Sequence, residues 1–183
     1  MAPTRRTAEQ TRWRLALAAV VLLGGAMLVL ASFQVWLSVA TDTGGVTQIS
    51  GWGSIGGDNE LAGSNLNDLT GGEGSFRPAV TVLVGAGLAV VLAVALAVPT
   101  RSEHPYRIPA AVLVLVGLLT MGYGLLRLFS PDPLAVLADG EAMAGPGQYL
   151  TLGAGILLIA PAVAVLIGVV DPLERPPHRG IQR

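Results

Sequence analysis

The sequence predicts an all-α membrane protein: a four-helix transmembrane bundle with a small extracytoplasmic loop that bears a β-hairpin. Three observations predict it. Hydrophobic residues make up 52% of the 183 residues and charged residues only 13%, where a soluble domain carries about 25% charged. Four apolar stretches each approach the roughly 20 residues that a helix needs to cross a hydrocarbon core of about 30 Å. Arginine is concentrated on one side of those stretches.

The spans are expected at about 15–37, 80–98, 108–128 and 149–170, within one membrane domain covering residues 1–183. Helices rather than strands are expected, because an isolated strand leaves its backbone groups unsatisfied in lipid. The first span follows Arg5, Arg6, Arg12 and Arg14, a pattern shared with secretory signals. Its apolar run outlasts a signal core, and it ends in Phe33-Gln34-Val35-Trp36 instead of a small-residue cleavage site, so it reads as a retained helix.

Charge sets the expected orientation. The chain has eleven basic residues, all of them Arg. Nine lie in the N-terminal tail, the loop at 99–107 and the C-terminal tail, with four acids. The opposite side has Arg77 and Arg127 against eight acids. The positive-inside rule therefore makes both termini cytoplasmic in a multi-pass protein of the cell membrane, with outer loops at 38–79 and 129–148. Aromatic placement agrees: Trp13 and Tyr106 fall at inner boundaries, and Phe33, Trp36, Phe76, Phe129 and Tyr149 at outer ones, as interfacial belts require.

Small residues at every fourth position mark faces where helices approach closely in lipid. The second span has Gly85, Ala89 and Ala93, and the fourth has Ala160, Ala164 and Gly168. Gly24 and Ser32 flank Leu28 in the first span, and the third offers Thr120 and Gly124. These rows are expected to close a monomeric bundle. Pro161 removes a backbone donor in the fourth span and is expected to kink it.

Residues 38–77 form the long outer loop, with ten glycines. Two β-rich runs, Trp36 to Thr41 and Val46 to Trp52, flank an Asp/Gly turn and read as a hairpin. A lone hairpin is marginal in water, so it requires a third strand or support from the helices. Leu61, Leu66 and Leu69 suit a short helical turn after Ser64 or Asn65. Asp58, Glu60, Asn65, Asn67 and Asp68 are ligand types that Ca²⁺ accepts, but EF-hand spacing is absent and the segment reads as a solvated turn-rich loop without metal. In the second outer loop, residues 134–138 suit a short amphipathic turn on the membrane.

Arg127 is the one charge inside a predicted span, and ionisable residues at such positions are functional candidates. Thr120, Tyr123 and Arg127 share a helix face, with Gln34 at similar depth. They suit an outer-leaflet pocket for a lipid headgroup or an anion. The competing expectation is that Arg127 snorkels to the interface and pairs with Asp132.

Enzyme classes find little support. There is no cysteine, and no HExxH, phosphate-binding loop or GxSxG motif occurs. No cofactor is implied. Short Arg-rich tails beside anionic lipid do not make a nucleic-acid module.

The four spans, the inside termini and an outer loop opening with Phe33-Gln34-Val35-Trp36 resemble small four-span actinobacterial membrane proteins, including the tryptophan-operon-associated transmembrane family. The all-Arg, Ala/Gly/Val-rich composition fits a GC-rich bacterial genome. The layout also resembles claudin-type proteins, with a β-bearing first loop containing Trp36 and Gly51-Trp52; this chain departs from that pattern in lacking its two cysteines and its Gly-Leu-Trp tripeptide. The resemblance implies a membrane context and assigns no chemistry. The expected function is that of a non-enzymatic accessory or assembly subunit in the lipid bilayer. It would act through its outer loop on a membrane-protein partner or a second copy, with Trp36, Trp52, Tyr123 and Arg127 as binding candidates. A small oligomeric transporter or channel, or a lipid-binding or lipid-modifying protein, are the rivals.

Overall fold

Apolar runs of this length fold as helices wherever their backbone groups can pair only along the chain. The computed structural model describes residues 5–40, 45–58, 60–69, 71, 76–99, 106–130 and 142–168. It is 70% helical, with four helices long and apolar enough to cross a membrane and one small antiparallel sheet. The long helices are α1 (Arg5–Phe33), α3 (Pro78–Ala97), α4 (Arg107–Phe129) and α5 (Pro146–Leu166); α2 (Leu66–Leu69) is a single turn. Their outward residues, among them Val84, Val91, Leu115 and Ile156, are apolar and exposed.

The first span ends earlier than expected. Helix α1 stops at Phe33, and Trp36 and Leu37 belong to strand β1 (Val35–Ala40). Hydropathy could not separate the two segments, because apolar residues continue through the boundary. Strand pairing does so: β1 is flanked by β2 (Val46–Ser50) and β4 (Ala142–Ala144), and β3 (Ile55–Gly57) completes the order β3-β2-β1-β4.

The expected hairpin forms, with Leu37 opposite Ile49 and Ala40 opposite Val46. Its turn, from 41 to 44, lies outside the described residues. The third-strand requirement is met twice, by β3 on β2 and by β4 on β1. Strand β4 was not anticipated, and it ties the second long loop to the first. The amphipathic turn expected at 134–138 lies outside the described residues. The helical turn expected near Asn65 is α2, and Asn65 Oδ1 accepts the Asn67 N–H at 2.9 Å.

Packing follows glycine and alanine. On α1 the adjacent pair Gly24-Gly25 serves two neighbours. A β-carbon on Gly24 would lie 3.0 Å from Leu158 of α5, and one on Gly25 3.4 Å from Ala89 of α3. The row Gly85, Ala89 and Ala93 is buried. Helices α4 and α5 meet backbone to backbone, because a β-carbon on Gly117 or Gly155 would stand 3.0 Å from the other's carbonyl oxygen. Gly124 faces Leu152 of α5.

The expected row on α5 is the wrong one. Ala160 is exposed, and Ala164 is only half-buried. The buried face runs instead through Gly147, Gln148, Thr151, Ala154, Gly155, Leu158, Pro161, Ala162 and Val165. This alanine-rich helix carries two rows of small residues, offset by two positions or about 200°. Periodicity alone cannot choose between them. Gly168 lies beyond the helix at φ +90°, donating its N–H to Val165 O at 3.1 Å. It is a left-handed terminator that few other residues tolerate, not a packing contact. The helix continues through the buried Pro161.

Away from the sheet, Arg14 closes the helix ends. It donates to the Tyr106 hydroxyl at 2.7 Å and to Ala97 O at 3.1 Å. Its guanidinium lies 5.3 Å from the Tyr106 ring centre. A cation there meets carbonyls at the C-terminal end of α3, where the helix dipole favours it.

Ala89→Leu should lower detergent stability by about 1–3 kcal/mol through overpacking against Gly25, whereas Ala160→Leu should leave it nearly unchanged. Thermal unfolding of both variants checks this; equal midpoints would contradict the packing.

Candidate functional site at the sheet end of the helices

The site is built around a bulge. Val35 faces Ser50 but Leu37 faces Ile49, so Trp36 is an extra residue in β1. The bulge lets two consecutive residues, Trp36 and Leu37, both be buried, which a regular strand forbids by alternation. The Trp36 indole donates to Ala31 O at 2.8 Å, a carbonyl in the last turn of α1 whose backbone bond, from Gln34 N, is long at 3.3 Å. β-Carbons on Gly51 and Gly147 would lie 2.9 and 2.6 Å from the indole nitrogen, so both positions admit only glycine beside this ring.

Backbone bonds lock the same junction. Gly51 donates to Gln34 O at 3.1 Å and accepts from Ala79 N at 3.0 Å, while Gly145 donates to Trp36 O at 2.9 Å. Helix α1, helix α3 and the approach to α5 thus join the sheet within a few residues. Trp36, expected among the binding residues, is fully buried. Its surface faces the interior of its own chain and is closed to a docking partner.

Trp52 remains at the surface, 37% exposed, beside Phe33 at 66%. Their ring centres are 6.4 Å apart at 44°. The loop behind Trp52 is braced by Asn67, whose side chain is buried. Its Oδ1 accepts from Phe76 N at 2.7 Å, and its Nδ2 donates to Phe76 O at 3.3 Å and Asn65 Oδ1 at 3.0 Å. Both asparagines therefore point oxygens at backbone N–H groups rather than at a cation. Asp58, Glu60 and Asp68 are exposed.

Tyr123 and Arg127 come together as expected. The Arg127 guanidinium lies 5.6 Å from the ring centres of both Tyr123 and Phe76, a cation–π arrangement that holds its direction. Below it, Thr120 and Tyr123 line a cleft of about 170 Å³ between α3 and α4. Thr81, Gly85 and Leu88 form the α3 wall, and Thr151 contributes from α5. Gln34 is exposed at the α1–β1 junction and is not in the lining. Asp132, the expected ion-pair partner, lies outside the described residues. The lining combines hydroxyls with apolar groups and, among the described residues, no carboxylate or imidazole. It is suited to binding.

Gln148 and Thr151 were not singled out from sequence, and Phe76 and Asn67 were read only as an interfacial aromatic and a cation-ligand type. Thr151 is fully buried and donates to Gly147 O at 2.8 Å. Gln148 is 1% exposed, and its Oε1 has no partner among the described residues. The available signal was a polar pair, Gln148 and Thr151, one turn apart at the mouth of an apolar helix, since buried polar groups near a span are costly. The brace between Asn67 and Phe76 gave no sequence signal, because its bonds join residues nine apart across a glycine-rich loop.

Trp36→Ala should destabilise the protein by about 3–5 kcal/mol, as for other buried aromatic truncations, and Trp52→Ala by less than half as much. Unfolding in detergent monitored by tryptophan fluorescence measures both; a larger loss at Trp52 would reverse the assignment of interior and surface.

No protein-family model matches the chain, and a search of curated proteins finds no significant match.

Proposed function

We propose that this protein is a non-enzymatic integral membrane accessory or assembly subunit that acts through its extracytoplasmic sheet. In this reading the four apolar helices form a transmembrane bundle with both termini in the cytoplasm. Nine Arg on the Arg14 side support that orientation, as does the acidic character of the loops that build the sheet.

The observation that carries the function is the Phe33–Trp52 pair on a braced platform. Both rings are exposed, yet the chain beneath them is held by the Trp36 socket and by Asn67. A rigid aromatic anchor costs little ordering entropy on binding, and aromatic residues dominate the energetics of protein interfaces. The partner is another membrane protein reaching the same side, or a second copy of this chain. Transport finds less support, since pathways need polar or broken helices at mid-membrane. Here the residues buried around Pro161 are Leu158, Ala162 and Val165.

Orientation is tested with single cysteines in this cysteine-free chain. Asp58→Cys should react with an impermeant reagent in intact cells and Ser102→Cys only after lysis; the reverse pattern would overturn the topology. Function is tested by crosslinking and pulldown from native membranes. Trp52→Ala should weaken partner recovery by about tenfold or more, on the scale of an interface hot spot, while Asp58→Ala and Glu60→Ala change it little. Full recovery with Trp52→Ala, or purification always without a stoichiometric partner or second copy, would defeat the proposal.

A further inference from the structure

Among the four principal contacts between long helices, that of α3 with α4 is the least extensive, and the cleft lies along it. Its mouth opens sideways: the lining residues Val84 and Leu119 are 60% and 65% exposed. Gly85 sets the floor, because a β-carbon there would approach Thr120 Oγ1 at 3.5 Å and Leu28 at 3.3 Å. From Thr81 to Leu88 the cleft runs about 10 Å along the helix.

Polarity changes along that length. Thr81 and Tyr123 lie towards the sheet, with Arg127 one turn beyond Tyr123; Leu88 and Val116 lie towards the helix middles. An apolar cavity of about 150 Å³ stays dry and accepts a benzene-sized group, so this one suits a short length of hydrocarbon. A guanidinium has five N–H donors in a fork that matches phosphate, and Arg127 is directed by the Tyr123 and Phe76 rings. Arg77, exposed at the start of α3, is the other cation of this end.

We propose that the α3–α4 cleft binds an anionic phospholipid from the leaflet on the sheet side, with one acyl chain lying over the floor formed by Gly85 and Thr120 and its phosphate on Arg127. The order of groups along the cleft matches a lipid in that leaflet, with its headgroup at the interface and its chain towards the bilayer centre. A soluble anion would meet Arg127 but leave the cleft empty. The proposal rests on the reading of the helices as membrane-spanning, and it is independent of the protein partner.

The full chain, purified in detergent, is titrated with dioleoyl phosphatidylglycerol, dioleoyl phosphatidylcholine or inorganic phosphate, and bound lipid is counted by native mass spectrometry. Phosphatidylglycerol should bind at least about tenfold more tightly than phosphatidylcholine, the scale of a charge-assisted contact. Inorganic phosphate should give no thermal protection. Arg127→Gln should bring the two lipids to similar affinity, Arg127→Lys should keep part of the preference, and Val116→Phe should weaken both lipids by filling the cleft.

For the unsubstituted protein, phosphatidylglycerol carrying a diazirine in its acyl chain should label the Leu88 and Val116 peptides above the peptide of Ile156, an exposed residue of α5. Equal lipid affinities, a preference that survives Arg127→Gln, protection by phosphate alone, or uniform labelling would each overturn the proposal. Release of the chain from membranes by alkaline carbonate would overturn it together with the membrane reading, whereas loss of the protein partner alone would leave it standing.

Discussion

The indole of Trp36 is the contact on which the rest of this architecture depends. It occupies the corner where α1 ends, the sheet begins and α5 starts, and its one polar atom meets a carbonyl of Ala31. A buried N–H without that acceptor would forfeit roughly 1–3 kcal/mol, and Ala31 O would keep only its 3.3 Å bond from Gln34 N. The ring also fixes its neighbours, since Gly51 and Gly147 cannot carry a β-carbon beside it. At Gly51 the Ser32 carbonyl adds a second obstacle, 2.5 Å from where a β-carbon would stand. The β-bulge supplies the remaining condition by burying Trp36 and Leu37 together.

This junction explains what sequence could and could not reveal. Four helices were legible because long apolar runs have one backbone solution in lipid, and the hairpin was legible because β-rich runs flank an Asp/Gly turn. The end of α1 was not legible: Val35, Trp36 and Leu37 are as apolar as a span, and only pairing with β2 and β4 identifies them as strand. Strand β4 is Ala142-Met143-Ala144, too short for any period to register. At the candidate site, Tyr123 and Arg127 were found from charge and spacing along one helix. Trp36 was placed correctly at a boundary and wrongly at a surface, because aromatic belts and socketed aromatics share the same sequence position.

The helix contacts make a related point about small residues. Gly85, Ala89 and Ala93 form a continuous small row that α3 buries, with Ala89 against Gly25 of α1. Alanine is common enough on α5 that a second row, Ala160 and Ala164, satisfied the same rule while facing outward. The closest backbone approach, Gly117 against Gly155, involves glycines that stand outside any i, i+4 row used for the expectation. A row marks the possibility of close approach, whereas an isolated glycine marks a crossing only when its partner is known.

The two ends of the helices are fastened by different physics. At one end Arg14 links α1 to Ala97 and Tyr106 through two hydrogen bonds and a ring contact, and the Tyr106 hydroxyl donates to Val98 O at 3.3 Å, with no sheet among the described residues. At the other, four strands, the Trp36 socket and the Asn67 brace couple the loops to the helices. Tyr123 carries this coupling into the helices: its ring is 6.0 Å from Trp36, it borders the α3–α4 cleft, and Arg127 lies over it. The least extensive of the four principal helix contacts therefore begins directly beneath the most tightly determined part of the fold. Close packing of α3 against α4 would require filling the cleft over Gly85 and Thr120, which the described residues leave open. The void persists because neighbouring contacts, Gly25 with Ala89 on one side and Gly117 with Gly155 on the other, hold the two helices to different partners.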